Sequence, residues 1–332
     1  MAISRRLIVS IITVVFCLDS TAQEVSDDPV IYSIVENNPD RMFMGVNFNY
    51  QAGISVYNMS LLTVGLDAVV LSKRFRLDLE SRLDIDDRLS TGFFNQPYAF
   101  SIYQTEMSRD FSVIGTYYFK SEVKREEATE VNVARVGNTI YQIVIPVDHS
   151  YRMGIDLGLT SGVTYFDFGN KDVAGTDMLG NTDTLISSTT SRTISSYYNY
   201  GILRLGISRG VASNLVIDTD KYGQKRKSGI SKIYGQILLS VYGMVDDIFV
   251  PQNINNPTDP YVRYDINQGL KRVPVGLCVG TNFYNTGAYL KRAGVGVGFD
   301  AEVGILPLPV TSFKNLVYLD LKMRIGFSKY LN

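Results

Sequence analysis

The feature that most limits what this chain can fold into is a strict alternation of apolar and charged residues. From Phe75 to Asp86 one parity reads Phe75, Leu77, Leu79, Ser81, Leu83 and Ile85, and the other reads Arg76, Asp78, Glu80, Arg82, Asp84 and Asp86. Successive side chains of a strand point to opposite faces, so an extended chain separates the two sets completely. At a helical period of 3.6 the same charges would be smeared around the cylinder. The pattern returns near the C-terminus, where Val317, Leu319, Leu321, Met323, Ile325 and Phe327 oppose Tyr318, Asp320, Lys322, Arg324, Gly326 and Ser328. Both segments therefore read as strands with one greasy and one polar face.

The same test picks out segments around 42–51, 62–70, 98–106, 111–122, 139–147, 151–160, 203–208, 232–241, 273–283 and 294–305, which gives about twelve strands, ten or fourteen being the other counts considered. A soluble sandwich also alternates, with its greasy parity turned into a core. Length separates the two cases: soluble strands average roughly 5 to 6 residues, whereas a strand tilted across a bilayer needs about 9 to 11. Several of these segments reach the longer figure, and no later segment has the 18 consecutive apolar residues of a spanning helix.

The N-terminus reads as an export signal. Arg5 and Arg6 precede an apolar run from Leu7 to Leu18 and the small residues Ser20, Thr21 and Ala22, the order of a secretory leader, with cleavage expected after Ala22. A retained anchor would need roughly 20 apolar residues, and Phe16 before Cys17 departs from the small residue of a lipoprotein signal. Loss of residues 1–22 leaves 30 basic and 32 acidic residues and one cysteine, Cys278, so no intramolecular disulfide can form. This balance lacks the basic excess that nucleic acid demands. With one His and no CxxC or HxxxH spacing, neither a metal site nor a cofactor is expected.

Export, long alternating strands and an amphipathic final strand together make the sequence resemble the general class of Gram-negative outer-membrane β-barrels, over roughly residues 41–331 and as architecture only. That resemblance implies an all-β, up-and-down antiparallel transmembrane barrel over 41–332, located in the outer membrane with its lipid as a partner, and with 23–40 as a periplasmic extension or plug. Tyr57, Tyr117, Tyr165, Tyr197, Tyr284, Phe327 and Tyr330 fall where strands should meet headgroups, as an aromatic girdle. The polar stretches 123–138, 169–195 and 245–271 are expected as outer loops, and short turns such as Ser72–Arg74 at the opposite rim. Residues 210–229 require a long periplasmic connection or an extra hairpin.

The polar parity defines the expected lumen: Arg76, Asp78, Glu80, Arg82, Asp84, Asp86, Asp320, Lys322 and Arg324, with Gly294, Gly296 and Gly298 on one strand beside Gly276 and Gly280 on the preceding one. Mixed charges either neutralise one another across a packed interior or line a hydrated pore. The glycines either relieve crowding at a curved wall or leave a depression that serves as a channel face or plug seat. Asp148-His149-Ser150 holds the residue types of a hydrolytic triad but, as sequence neighbours at an expected turn, cannot converge as one. No catalytic residue and no enzyme activity are expected. Two functions remain: a passive pore for small polar solutes, or a non-conducting barrel that scaffolds assembly, secretion or adhesion with other envelope proteins.

Overall fold

The computed structural model describes residues 30–55, 63–84, 109–136, 139–167, 173–185, 195–251, 261–267, 271–286, 294–307, 309–310 and 317–331. Its elements are all strands: β1 (Tyr32–Asn37), β2 (Phe43–Ser55), β3 (Thr63–Leu71), β4 (Phe75–Asp84), β5 (Arg109–Val136), β6 (Thr139–Asp167), β7 (Val173–Asp177), β8 (Thr182–Leu185), β9 (Ser195–Thr219), β10 (Gly223–Val245), β11 (Ile248–Pro251), β12 (Tyr261–Asp265), β13 (Lys271–Arg272), β14 (Val275–Thr286), β15 (Gly294–Ile305), β16 (Pro309–Val310) and β17 (Val317–Tyr330). The expected leader, Asp86, Tyr57 and the expected strand at 98–106 lie outside the described residues.

Ten of these strands close on themselves, antiparallel throughout, in the order β2, β3, β4, β5, β6, β9, β10, β14, β15 and β17, and the last pairs with the first from Tyr318↔Ser55 to Tyr330↔Phe43. Closure removes the exposed edges that an open sheet would present. The outer face is apolar and exposed, as at Leu157 (59%) and Ile207 (63%), while the opposite parity of the same strands buries Asp156 and Ser208. Final strand β17 keeps this alternation from end to end. An apolar exterior around a polar interior inverts a soluble core and is the signature of a transmembrane barrel.

Of the about twelve expected segments, 139–147 and 151–160 are one strand and 98–106 lies outside the described residues, which leaves ten in the wall; 111–122 continues unbroken to Val136. Asp148, His149 and Ser150 are therefore not a turn. His149 lies within β6, paired with Lys124 on one side and Ser213 on the other. Arg109 and Asp110 open β5.

Nor are residues 123–136 a loop, since they continue β5. A spanning strand needs about 9 to 11 residues, and β5 and β6 have 28 and 29. Their surplus projects as a hairpin from the end that carries the Ser72–Arg74 turn and the Phe43 and Tyr330 termini of the wall, called here the terminal end. Residues 210–229 form a second hairpin at the same end, turning at Asp220–Tyr222 with positive φ at Gly223. The two pack face to face through Val131, Val133, Ile145, Val147, Leu215 and Ile217, a small core outside the barrel. At the opposite, loop end, β11, β12, β7 and β8 form a four-stranded sheet from segments expected as loops.

Strand β1 takes over where β6 leaves off. Pairing of β6 with β9 ends at His149↔Ser213, and β1 then pairs with β9 from Asn37↔Leu215 to Tyr32↔Thr219. The link from β1 to β2 is fastened by Asp40, which accepts hydrogen bonds from Ser150 Oγ at 2.7 Å and Arg152 Nη2 at 3.2 Å and faces Lys73 at 3.3 Å. Burial alone would raise the Asp40 carboxyl, but these hydrogen bonds and the Arg152 charge outweigh it and hold the group below the usual aspartate range.

Candidate functional site

The lumen is built in three layers. At the terminal end Phe43, Val69, Leu71, Tyr118, Ala212, Ile230, Tyr284 and Tyr330 form a buried apolar layer, with Phe43 packed edge-on against Tyr284 and Tyr330 at centroid distances of 5.7 and 5.2 Å. Toward the loop end Ile202, Leu238, Cys278 and Tyr318 form another, with Tyr200, Tyr234 and Leu306 against it. Between them lies a belt of charge.

Two knots make up most of the belt. In the first, Lys232 Nζ stands 3.0 Å from Asp156 and 4.0 Å from Asp78, and donates to Thr116 Oγ1 at 2.8 Å. Asp156 also accepts from Thr116, Ser208 and Gln236 at 2.7, 2.8 and 3.0 Å, and Arg76 donates to Asp78 at 2.8 Å and to Asn282 at 3.1 Å. In the second, Arg82 meets Glu80, Asp110 and Asp320 at 3.0, 2.9 and 3.2 Å. Lys322 bridges Glu80 and Asp300, and Arg324 joins Asp300 to Asp67, which accepts from Asn49 Nδ2 at 2.6 Å. A satellite pairs Arg204 with Glu302, which also accepts from the Tyr234 and Tyr318 hydroxyls at 2.6 and 2.5 Å.

Lining a water-filled pore, these side chains would be wet. Instead Asp156 is 0%, Lys232 2%, Arg76 3%, Lys322 5% and Arg324 7% exposed, while the side chains of Asp78, Glu80, Arg82, Asp110 and Asp320 keep 16 to 18%, so the belt fills much of the lumen's cross-section. Burying a charge is tolerated only when it is paired and hydrogen-bonded, and each of these groups has such partners. Eight-stranded interiors are normally filled by side chains, and long Arg, Lys and Tyr residues extend that filling to ten strands.

The expected lumen residues thus come together in the belt, Arg76 and Asp78 in the first knot and Glu80, Arg82, Asp320, Lys322 and Arg324 in the second. Asp84 closes β4 and Gly294 opens β15. The two knots and the satellite also recruit Asp67, Asp110, Asp156, Arg204, Lys232, Asp300 and Glu302, most of which stand as isolated charges in their strands. Their position on the polar parity was the available signal.

The depression expected at the glycine wall is occupied. Tyr284 is the cross-strand partner of Gly298, and its ring also covers Gly296, where a methyl group would overlap the phenol. Tyr234 seats over its partner Gly280 in the same way. The glycines therefore admit tyrosine rings, an arrangement in which an aromatic side chain covers the gap on the neighbouring strand. This also corrects the aromatic girdle: Tyr117 and Phe327 are exposed on the outer face, but Tyr284 and Tyr330 are buried inside. The side chains of Tyr165 and Tyr197 lie outside the described set.

Among the described residues no group of three His, Cys, Asp or Glu side chains could hold a metal ion. No family model matches the chain, and no curated protein sequence matches it. Among solved structures it is similar to a CymD monoaromatic hydrocarbon channel, at 10% identity over 89% of this chain and 90% of that one, with a TM-score of 0.24. It is also similar to the outer-membrane expressed OmpT of Vibrio cholerae, at 10% identity over 90% and 100% with a TM-score of 0.16. An anion-selective porin from Comamonas acidovorans matches at 9% over 90% and 99%, with a TM-score of 0.15. Likenesses this low carry no argument about this chain; its assignment as a barrel of the outer-membrane type rests on the strand closure and the inverted polarity of its two faces.

Proposed function

We propose that this protein is an outer-membrane β-barrel, with its terminal end in the periplasm, that holds its lumen shut and serves as a non-conducting scaffold. The observation that carries this reading is the largely buried charge belt between two apolar layers, in which cations of one strand pair with carboxylates of others across the lumen face. On this reading the paired hairpins and β1 form a periplasmic platform for other envelope proteins, and the four-stranded sheet lies on the cell surface. No catalytic step is assigned. Swelling of vesicles loaded with arabinose tests the proposal: insertion of the refolded protein leaves the swelling rate at that of empty vesicles, and rapid swelling overturns it.

A second reading, a gated pore for small polar solutes, draws on one feature. The belt consists of side chains on the wall, with no separate segment threaded through it among the described residues, so a pore would open by re-pairing ions and not by expelling a plug. Under this reading Asp300→Ala with Arg324→Ala gives measurable swelling where the native protein gives none.

A further inference from the structure

A pocket of about 440 Å³ opens at the terminal end, lined by Lys120, Glu122 and Lys124 of β5, Tyr151, Arg152 and Met153 of β6 and Arg209 of β9. All but Arg152, which is buried on the opposite parity and held by Asp40, share the outer face in successive cross-strand rows. Lys120, Met153 and Arg209 form one row, and Glu122 and Tyr151 occupy the next. Directly opposed residues stand roughly 5 Å apart at Cβ, so the two cations of the first row flank Met153 with about 10 Å between their Cβ atoms, within reach of a single anion. Arg209 lies over the Tyr151 ring, 5.8 Å from its centroid.

Charge in the pocket is unbalanced. Lys124 Nζ is 3.5 Å from Glu122, but among the described residues neither Lys120 nor Arg209 meets a carboxylate at ion-pair distance. The pocket also stands where the outer face changes character. Toward mid-barrel lie exposed Met153, Ile155, Leu157 and Ile207, and toward the hairpin the same face carries Lys124, His149 and Ser213 before the buried hairpin core begins at Val147 and Leu215. Spare cations beside an aromatic ring, at the boundary between an apolar belt and water, suit an anionic headgroup whose acyl chains run down the apolar wall.

We propose that this pocket binds the phosphate headgroup of a phospholipid, with Lys120 and Arg209 holding the phosphate and Met153, Ile155 and Ile207 meeting the first acyl carbons. The inference rests on the membrane-barrel reading. The test is native mass spectrometry of the full refolded protein in maltoside micelles, titrated with palmitoyl-oleoyl phosphatidylglycerol. One lipid per chain is expected. Lys120→Ala with Arg209→Ala should weaken binding about thirtyfold, since each basic group near such a surface contributes on the order of 1 kcal/mol. Glu122→Gln should tighten it.

Inorganic phosphate at millimolar concentration should not displace the lipid, and dioleoylglycerol should not replace it. Unchanged affinity in the double variant, displacement by free phosphate or equal retention of the glycerolipid overturns the proposal. Insertion into phosphatidylcholine vesicles, read as faster migration of the unheated band on a gel, is followed in parallel. A protein that inserts but retains no phosphatidylglycerol defeats only the lipid site, whereas one that fails to insert defeats the membrane reading beneath it.

Discussion

Lys232 Nζ lies 3.0 Å from Asp156 Oδ1 in the middle of the barrel, and the two side chains are 3% and 0% exposed. They stand on β10 and β6, with β9 between them supplying Ser208 to the same carboxylate. The contact reaches across the intervening strand, which an empty lumen would not require.

Breaking this pair on one side strands the other charge. Asp156→Ala should destabilise the barrel by about 3 to 5 kcal/mol, because the buried ammonium loses its close partner and keeps only Asp78 at 4.0 Å and the Thr116 hydroxyl. Asp156→Leu combined with Lys232→Met should cost distinctly less, because both charges leave together. Urea unfolding in phosphatidylcholine vesicles measures both, and equal losses would contradict a packed lumen.

The outer wall should reject charge. Leu157→Arg, at an exposed position of the apolar belt, should cost about 2 to 4 kcal/mol in a bilayer. Lys124→Gln, on the projecting hairpin of the same sheet, should change stability by less than about 0.5 kcal/mol. A tolerated arginine at 157 would mean that this face does not meet lipid.

Gly296→Ala should displace the Tyr284 ring from its seat against Phe43, at a cost of about 1 to 3 kcal/mol typical of overpacking. Tyr284→Ala in the same chain should relieve most of the added penalty. Additive losses in the double variant, read by thermal unfolding, would show that the two do not share a space.

Asp40 makes the β1 tether sensitive to acid. Its carboxyl is held below the ordinary value of 3.8 in the folded protein. The tether's stabilisation is therefore complete above that value and is lost as pH falls through the folded one. Limited proteolysis should leave the segment from Tyr32 to Asn37 intact at neutral pH and release it in strong acid, using an acid-active protease. Asp40→Asn should bring that release to neutral pH, because buried Arg152 then loses its carboxylate.

Much of the wall was legible in the sequence because a bilayer on one side and a polar interior on the other impose a period of two. The signal fades where that asymmetry ends. Past Tyr118, β5 leaves the wall, carries register shifts at Tyr118/Lys120, Glu126/Thr129 and Asn132/Ala134, and meets water on one face and another hairpin on the other. Its alternation is scrambled there, so 123–138 resembles a loop. The charges of Arg76–Arg82 and Asp320–Arg324 announced a polar lumen, but whether it was wet depended on partners brought in from other strands, such as Asp156 and Lys232. The glycines at 296 and 298 showed where side chains were missing; the Tyr284 that fills the gap follows only from the register of β14 against β15.

Closure of the lumen is tested most directly by recording current across a planar bilayer after insertion of the refolded native protein at neutral pH. The packed belt predicts a baseline indistinguishable from the bare membrane, with no unitary steps at moderate voltage. Stable ohmic steps from the native protein would show a continuous aqueous path through the barrel and would contradict the account.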